Sequence, residues 1–272
     1  MKALRLHQEG GAISIDDVAD PSPPVGDEVL VRMKIVSLNH IDLFGFRGMA
    51  FAKRTLPIIV GVEGAGVVEA VGAPDLGVSP GDRVAWAAGP GSYATHVVVA
   101  ADRLVPVPAG LDTKIAAASM LQGMTAHYLA HATYPLRAGD TCLVHAAAGG
   151  VGLLLCQMAS RAGAHVIGTV STEEKAKLAR GAGAHEIILY TQADFAAETR
   201  RLTGGRGVDV VYDSVGRTTF DKSLDCLRPR GVMVLYGQSS GAVPPVDLQI
   251  LSQKGSLYVT RPTLGSYTAT RA

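Results

Sequence analysis

A glycine-rich turn is the clearest chemical signal in this sequence. The turn Ala146–Gly152 reads AAAGGVG, and it follows an apolar segment, Thr141–His145, that is typical of a buried strand. Aligned with the pattern G-x-G-x-x-G, it has alanine at the first position and glycine at the other two. The second glycine lets the backbone approach a pyrophosphate, and the third lets the next helix pack closely on the strand. The N–H groups at the start of that helix favour phosphate. We therefore expect a dinucleotide pyrophosphate to be held by Ala147, Gly149, Gly150, Val151 and Gly152.

The tip of the next apolar segment predicts which dinucleotide binds. His165–Val170 is followed by Ser171, and no carboxylate stands at the position where NAD sites usually carry an acid on the ribose. Lys175 lies one helical turn later. A hydroxyl and an ammonium bind a 2′-phosphate by charge-assisted hydrogen bonds, whereas a carboxylate would repel it. Glu173 and Glu174 complicate this interpretation, although acids are also favourable in the first turn of a helix. The sequence predicts NADPH rather than NADH.

The elements that position these residues follow a regular alternation from about Thr113 onward. Val151–Ala162 places its apolar residues on one face of a helix, and similar helical segments separate short, nearly continuous apolar runs. Such alternation predicts a parallel sheet covered by helices on both faces. The predicted strands are Thr141–His145, His165–Val170, Glu186–Tyr190, Val208–Tyr212, Gly231–Gly237 and Ser256–Thr260.

The N-terminal part, up to about Leu111, has a different rhythm. Its short alternating apolar stretches are broken by glycine and proline, which is the pattern of an antiparallel, barrel-like β domain. The fold class predicted for the whole chain is therefore α/β, with a parallel-sheet domain beside an antiparallel one. The strands predicted in this part are Glu28–Ile35, Gly66–Ala70, Asp82–Ala85 and His96–Val99.

Composition excludes several classes of function. The formal net charge is +1 and no basic stripe is visible, so we predict no nucleic-acid partner. The sequence has no run of about 18 apolar residues, so no membrane span is expected. The N-terminus lacks the apolar core of a signal peptide. The three cysteines are far apart in sequence and form no C-x-x-C pair, so we expect inert core thiols in a cytoplasmic protein.

Seven segments, spread in order over essentially the whole chain, carry a resemblance to a known family. They resemble NADPH:quinone oxidoreductases, the zeta-crystallin-like, zinc-independent members of the medium-chain dehydrogenase/reductase superfamily. The last segment is specific to the quinone reductase branch. The segments are Ser37–Leu43, Pro57–Glu69, Leu121–Leu129, His145–Leu153, Val208–Gly216, Ser223–Gly231 and Gln253–Pro262.

The resemblance implies a GroES-like catalytic domain over residues 1–111, a Rossmann domain that binds NADPH over residues 112–262, and a cleft between them. Members of the family usually continue well beyond the position of Ala272. Residues 263–272 are therefore expected to begin a C-terminal segment that returns to the catalytic domain and is truncated here.

The same resemblance implies contacts to the cofactor. Asn39 and Asp42 are expected near the nicotinamide, and Ser171, Lys175 and Tyr190 around the 2′-phosphate. Family members often carry an asparagine where Gln238 stands, so this contact departs from the family pattern. The remaining implied cofactor contacts are Thr125, Ser214, Val215, Tyr236, Gly237, Gln238, Ser239, Val259, Thr260 and Arg261.

The residues argue against a catalytic metal. Zinc-dependent relatives use a G-H-E motif, but here the segment reads Gly61-Val62-Glu63, and Ser37-Leu38-Asn39 stands where a ligating cysteine is expected. The remaining cysteines and histidines lack ligand spacing, so no metal is predicted. His40 lies between two candidate site residues, but a core or surface role is the favoured interpretation.

Chemistry in such a site comes largely from the cofactor, which offers a hydride to an acceptor positioned beside it. Asn39, Asp42 and Tyr128 are candidate groups for orienting that acceptor or delivering a proton. Local turn chemistry for Asn39 and Asp42, and core packing for Tyr128, are the alternatives.

The leading functional hypothesis is an NADPH-dependent quinone reductase. A second enzyme hypothesis is reduction of an activated C=C bond in an enone or enoyl thioester. A third, from a different class, is a non-enzymatic NADPH-binding protein, crystallin-like or RNA-binding. The apolar segment Ser256–Thr260 is expected at a sheet edge, where it invites pairing with a second copy, so a homodimer is predicted.

Overall fold

The structure is a computed structural model that describes residues 1–46, 55–87, 89 and 91–270. The chain divides into two compact units, Met1–Leu121 and Gln122–Ala272. Arg271 and Ala272, the last residues of the predicted C-terminal segment, lie outside the described residues. The predicted domain boundary near Leu111 stays a prediction.

Antiparallel sheets build the first unit. Strand β3 alternates buried and accessible side chains, with Val29 and Val31 fully buried, because successive residues of a strand point to opposite faces. In the described part of the chain, the larger sheet has the order β7-β3-β5-β6-β8 and the smaller one the order β2-β1-β4, with helix α1 following β3. The bounds are β1 Lys2–Leu6, β2 Ile13–Asp17, β3 Glu28–Val36, α1 His40–Phe46, β4 Ile58–Ile59, β5 Glu63–Val71, β6 Arg83–Ala87, β7 His96–Ala100 and β8 Val105–Pro106.

A parallel sheet organises the second unit. Its strands, among the described residues, follow the order β11-β10-β9-β12-β13-β14, and every neighbouring pair is parallel. In β9, Cys142 and Val144 join the core on one face while Leu143 joins the core on the other, so both faces are covered. The strands are β9 Thr141–Val144, β10 His165–Val170, β11 Glu186–Leu189, β12 Val208–Asp213, β13 Leu227–Leu235 and β14 Tyr258–Thr260.

The predicted α/β fold class is confirmed, and helix α3 lies within one residue of the predicted helix Val151–Ala162 at each end. Helix α3 begins at Gly150, within the glycine-rich turn, and buries Leu155, Cys156 and Ala159 against the sheet. The helices are α2 Thr113–Tyr128, α3 Gly150–Arg161, α4 Glu173–Gly181, α5 Phe195–Leu202, α6 Phe220–Cys226, α7 Gln249–Gln253 and α8 Leu264–Tyr267. No helix in the described ranges has the length and apolar character needed to cross a membrane.

A π turn extends helix α2. The turn spans Leu129–Thr133, and the Tyr134 N–H donates to the Leu129 carbonyl at 3.2 Å, the i to i+5 bond of a π turn. The buried Tyr212 hydroxyl of β12 reaches the carbonyls of Leu129 (3.2 Å) and Tyr134 (3.3 Å). The sheet therefore fixes the backbone of this turn.

Candidate dinucleotide-binding site

The predicted pyrophosphate turn lies at the carboxyl end of β9. Ala146 has a φ of 50°, which turns the chain sharply as the strand ends. The Gly149 N–H donates to the Ala146 carbonyl at 2.8 Å. Gly149 is the N-cap residue of α3, with an extended backbone and no side-chain capping bond. The first N–H groups of α3 have no acceptor within the helix. They form the donor set that a helix N-terminus offers to a phosphate.

The two aligned glycines have different surroundings. At Gly152, which is buried, an added Cβ would lie 2.3 Å from the Ala146 carbonyl oxygen and 2.9 Å from the Ala147 backbone. At Gly149, which is exposed, it would meet only the Ala146 oxygen, at 3.1 Å. The third glycine therefore permits tight packing of α3, whereas the second leaves an open backbone surface. This cradle has the shape that a pyrophosphate requires.

Alanine stands at the first position of the motif because a glycine lies opposite it. Ala147 is fully buried, and its N–H donates to the Thr169 carbonyl of β10 at 3.1 Å. A Cβ added to Gly168 in the same strand would lie 2.8 Å from the Ala147 methyl group. Sequence reasoning missed Gly168, although an isolated glycine inside a strand often marks a close approach of another backbone.

The tip of β10 brings together the residues predicted for the 2′-phosphate. The Lys175 Nζ donates to the Ser171 Oγ at 3.0 Å, and both groups lie at the surface. Tyr190 follows β11, with its N–H bonded to the Val170 carbonyl at 3.2 Å and its side chain exposed. The two glutamates after Ser171 lie in the first turn of α4, where the helix dipole stabilises carboxylates. An ammonium, a hydroxyl and a phenol thus share one surface.

Hydrogen bonds join the loops that follow β12 and β13. Ser239 and Ser240 donate their N–H groups to the carbonyls of Ser214 (3.0 Å) and Val215 (2.9 Å). A Cβ on Gly237 would lie 2.6 Å from the Ser214 oxygen, so the loops run in close contact. Tyr236 and Gln238 belong to the same pair of loops. The predicted residues Ser214, Val215 and Tyr236–Ser239 therefore form one continuous edge.

An aromatic and basic group lies at the end of α2. The rings of Tyr128 and Tyr267 stack at 4.2 Å with 11° between their planes. Burial raises the pKa of Tyr128 to about 12. Burial also lowers the pKa of Arg261, which lies close enough to Tyr128 for their charges to interact. Val259 and Thr260 end the neighbouring strand β14, and Thr125 lies one turn before Tyr128 in α2.

The first unit contains a buried polar cluster that includes two predicted site residues. The Asn39 Nδ2 donates to the Glu63 Oε2 at 2.7 Å, and the Asn39 N–H donates to the Asp42 Oδ2 at 2.8 Å. The Tyr93 hydroxyl reaches the Asp42 Oδ2 and the Ser37 carbonyl, both at 2.9 Å. Asn39, Asp42 and Glu63 are all buried. The structure thus brings Asn39 and Asp42 together and holds both in fixed orientations.

Sequence reasoning missed Glu63 and Tyr93 as members of this cluster. Glu63 was examined only as part of a motif that lacks its histidine, and nothing in the sequence singled out Tyr93. Burial raises the pKa of Glu63, although hydrogen bonds from the Asn39 side chain and the Leu121 N–H oppose that rise. Burial and the neighbouring Asp42 carboxylate raise the pKa of Tyr93. These shifts favour a protonated Tyr93 hydroxyl beside Asp42.

A histidine network lies beneath the pyrophosphate turn. His145 is fully buried directly after β9, with Nδ1 2.9 Å from the Thr169 Oγ1 and Nε2 2.9 Å from the Ser223 Oγ. The Ser223 hydroxyl donates to the Thr219 carbonyl at 2.8 Å, so its single hydrogen is not available to His145. Nε2 therefore carries the imidazole proton, and Nδ1 accepts from Thr169. The network joins β9, β10 and α6 in one arrangement.

We expect this histidine to make folding stability depend on pH. Burial lowers the pKa of His145 below its ordinary value. As pH falls below about 6.5, the unfolded chain takes up a proton that the folded chain refuses, and stability falls. Urea unfolding should show that stability falls as pH decreases through this range. His145→Gln should remove that part of the pH dependence, and an unchanged profile in the variant would contradict the assignment.

The residues of the second unit that are predicted to contact the cofactor lie near the carboxyl ends of the strands of one parallel sheet. Thr125 and Tyr128 lie in helix α2, which precedes that sheet. The order of strands reverses between β9 and β12, and ligands of open parallel sheets bind at such a point, outside the carboxyl ends. Within the described residues, no cluster of three or more histidine, cysteine, aspartate or glutamate side chains could hold a metal. The geometry is that of a dinucleotide site.

Comparison with known proteins supports the same architecture. Residues 26–109 match the alcohol dehydrogenase GroES-like domain, and residues 150–270 match the zinc-binding dehydrogenase family. A quinone oxidoreductase of Pseudomonas aeruginosa is 52% identical over 92% of this chain and 77% of its own length. A 2-haloacrylate reductase of a Burkholderia species is 43% identical over 99% of this chain and 83% of its own length.

A solved structure shows the same likeness in three dimensions. The Escherichia coli quinone oxidoreductase complexed with NADPH superposes with a TM-score of 0.95 at 43% sequence identity. The match covers 100% of this chain and 83% of that chain.

Proposed function

This chain belongs to the quinone oxidoreductase family of the medium-chain dehydrogenase/reductase superfamily, and we propose that it is an NADPH-dependent quinone reductase that works without a metal. It is an oxidoreductase that binds NADPH, as its relatives indicate. The observation that carries the cofactor assignment is the pairing of Lys175 with Ser171 at the tip of β10, where no carboxylate stands.

The chain's own residues bind and orient the cofactor. The N–H groups at the start of α3 hold the pyrophosphate, and Ser171, Lys175 and Tyr190 hold the 2′-phosphate. The rest of NADPH lies along the edge formed by Ser214, Val215 and Tyr236–Ser239. It also lies along Thr125, Val259, Thr260 and Arg261. NADPH, when bound, supplies the hydride. A quinone is electron-poor, so positioning is the main task left to the protein.

Asn39, Asp42 and Tyr128 are proposed to orient the acceptor. The two residues of the first unit are buried and hydrogen-bonded to each other through Asn39 N–H and Asp42 Oδ2, so their positions are fixed before substrate arrives. Tyr128 is held against Tyr267 in the second unit. Fixed polar groups of this kind lower the cost of reaching the reactive geometry.

We expect Tyr128→Phe to lower turnover less than about threefold, because a phenol of pKa about 12 is a poor proton donor near neutral pH. Stopped-flow measurement of quinone reduction under NADPH saturation checks this. A fall of tenfold or more, with unchanged NADPH affinity, would instead assign proton delivery to Tyr128.

The proposal of a metal-free site rests on the donor set of the first unit. Val62 stands where zinc-dependent relatives have an imidazole, and Asn39 stands in the segment where a thiolate is expected. Both oxygens of Glu63 already accept hydrogen bonds, one from the Asn39 side chain and one from the Leu121 N–H. This set lacks the nitrogen and sulfur ligands that zinc prefers.

A second candidate substrate class is the activated C=C bond. The 2-haloacrylate reductase of Burkholderia is as similar to this chain as several quinone oxidoreductases are. The deciding experiment measures NADPH oxidation with a series of benzoquinones and naphthoquinones against 2-haloacrylates and simple enones. A kcat/KM at least tenfold higher for quinones supports the proposal, and the reverse order overturns it.

We further propose a homodimer through strand β14. The strand pairs only with β13 in the described part of the sheet, and Tyr258 and Val259 are 58% and 40% exposed. An exposed apolar edge strand favours pairing with a second copy of itself. Light scattering should give twice the chain mass, and Val259→Lys should shift the population to monomer. A monomer for the unaltered chain at micromolar concentration would overturn this proposal.

A further inference from the structure

Two histidines lie side by side on the surface at the end of helix α2. His127 is in the last turn of α2 and His131 is in the π turn that follows, and both are exposed. Their ring centroids lie 4.6 Å apart with 50° between the ring planes. Neither residue contributes to the proposed cofactor site or to the buried core.

Helix geometry explains the approach of the two rings. Residues four apart lie on one face of a helix. A π turn has more residues per turn than an α-helix, so residues four apart lie even more nearly in line. The Tyr212 hydroxyl and the bond from Tyr134 N–H to the Leu129 carbonyl fix this turn. The backbone therefore places both histidines on the same face of the helix.

We propose that His127 and His131 form a two-ligand site for a borderline divalent cation, with copper(II) as the preferred occupant and water completing its coordination. Imidazole nitrogen is a good ligand for copper, nickel and zinc, and copper(II) binds most tightly in the usual order of divalent metals. Within the described residues, neither imidazole has a hydrogen bond, so their ring nitrogens are available to bind a metal.

The ring separation selects a geometry. A metal–nitrogen distance of about 2.0–2.1 Å puts each ring centre about 3.2 Å from the metal. Two such rings at a right angle have centres about 4.5 Å apart, and at a tetrahedral angle about 5.2 Å apart. The observed 4.6 Å agrees with the right angle. Square-planar and tetragonal copper(II) use that angle, whereas zinc prefers the tetrahedral one.

A second histidine pair in the chain provides the control. The rings of His165 and His185 stack at 4.8 Å with 30° between their planes. The Nδ1 of His185 already accepts the Val166 N–H at 3.0 Å. One nitrogen of this pair is therefore occupied. The two imidazoles of this pair are thus as close together as those of His127 and His131, but their nitrogens are not equally available to a metal.

The experiment titrates the full chain with copper(II) sulfate at pH 7.5 and follows binding by calorimetry and electron paramagnetic resonance. We expect one copper per chain with two imidazole nitrogens in its plane, and a rise in melting temperature because the metal binds only the folded chain. His127→Gln and His131→Gln should each weaken binding at least tenfold, while His165→Gln should leave it unchanged. Because all three substituted histidines are exposed, none of these variants should change the melting temperature of the metal-free chain.

Several results would overturn the site. Unchanged copper affinity in either variant of the pair, or loss of affinity in His165→Gln, would place the metal elsewhere. Zinc binding as tight as copper binding would contradict the right-angle geometry. These readouts do not depend on turnover, so they stand apart from the test of the proposed reductase activity.

Discussion

Replacing Gly149 by alanine is expected to weaken NADPH binding about a hundredfold while leaving the fold intact. The residue has an ordinary extended backbone and an exposed position, and an added Cβ would press only on the Ala146 oxygen, at 3.1 Å. The methyl group would instead occupy the surface that the pyrophosphate approaches. The loss of one charge-assisted hydrogen bond, near the upper end of about 1.5–3 kcal/mol, accounts for an effect of this size. Fluorescence titration with NADPH measures the affinity, and thermal melting measures the fold.

Gly152→Ala separates cofactor contact from packing. Its Cβ would lie 2.3 Å from the Ala146 oxygen, which is backbone and cannot yield, so we expect a lower melting temperature as well as weaker binding. Gly181→Ala in α4 is the control, since a Cβ there meets nothing within 4 Å. Normal NADPH affinity in Gly149→Ala would show that the pyrophosphate does not rest on this turn.

Replacing Lys175 by glutamine is expected to reduce the preference for NADPH over NADH by about tenfold to a hundredfold. The ammonium is held on the Ser171 hydroxyl at 3.0 Å, and one charge-assisted hydrogen bond to a 2′-phosphate contributes about 1.5–3 kcal/mol. NADH has no such phosphate, so its affinity should stay the same. Parallel titrations with the two cofactors measure the ratio of dissociation constants.

Lys177 provides a matched control for this substitution. It lies two residues further along the same helix, is also exposed, and makes no contact with Ser171 among the described hydrogen bonds. Lys177→Gln should therefore leave the cofactor preference unchanged apart from a small loss of general attraction. An equal loss in both variants would mean that the helix acts through its overall charge and that Lys175 has no specific role.

Local patterns in the sequence determined the parallel-sheet unit. His165–Val170 is a strand with the predicted bounds, and helix α3 begins one residue before the predicted start. The reason is that buried parallel strands are short and almost wholly apolar, and their helices carry a clear apolar stripe. The turn at Ala146–Gly152 could also be predicted, because its motif lies within seven consecutive residues.

Some elements left no such pattern. Strands β1 and β2 were not predicted, because β2 is mostly exposed and alternates weakly. Helix α2 was missed as well. Its small residues give no apolar stripe, so periodicity did not reveal it, although its alanines favour a helix.

The composition of the sites depended on contacts between residues far apart in sequence. Asn39 meets Glu63 across 24 positions, and His145 meets Ser223 across 78. Ala147 fits the first position of its motif only because Gly168 lies on the adjacent strand. The sequence by itself determined the fold class and the turn that we propose to bind the dinucleotide, because the first follows from short-range periodicity and the second from a local glycine pattern. Only the tertiary structure decided which polar groups share the buried clusters, because strand pairing, and not spacing along the chain, places them together.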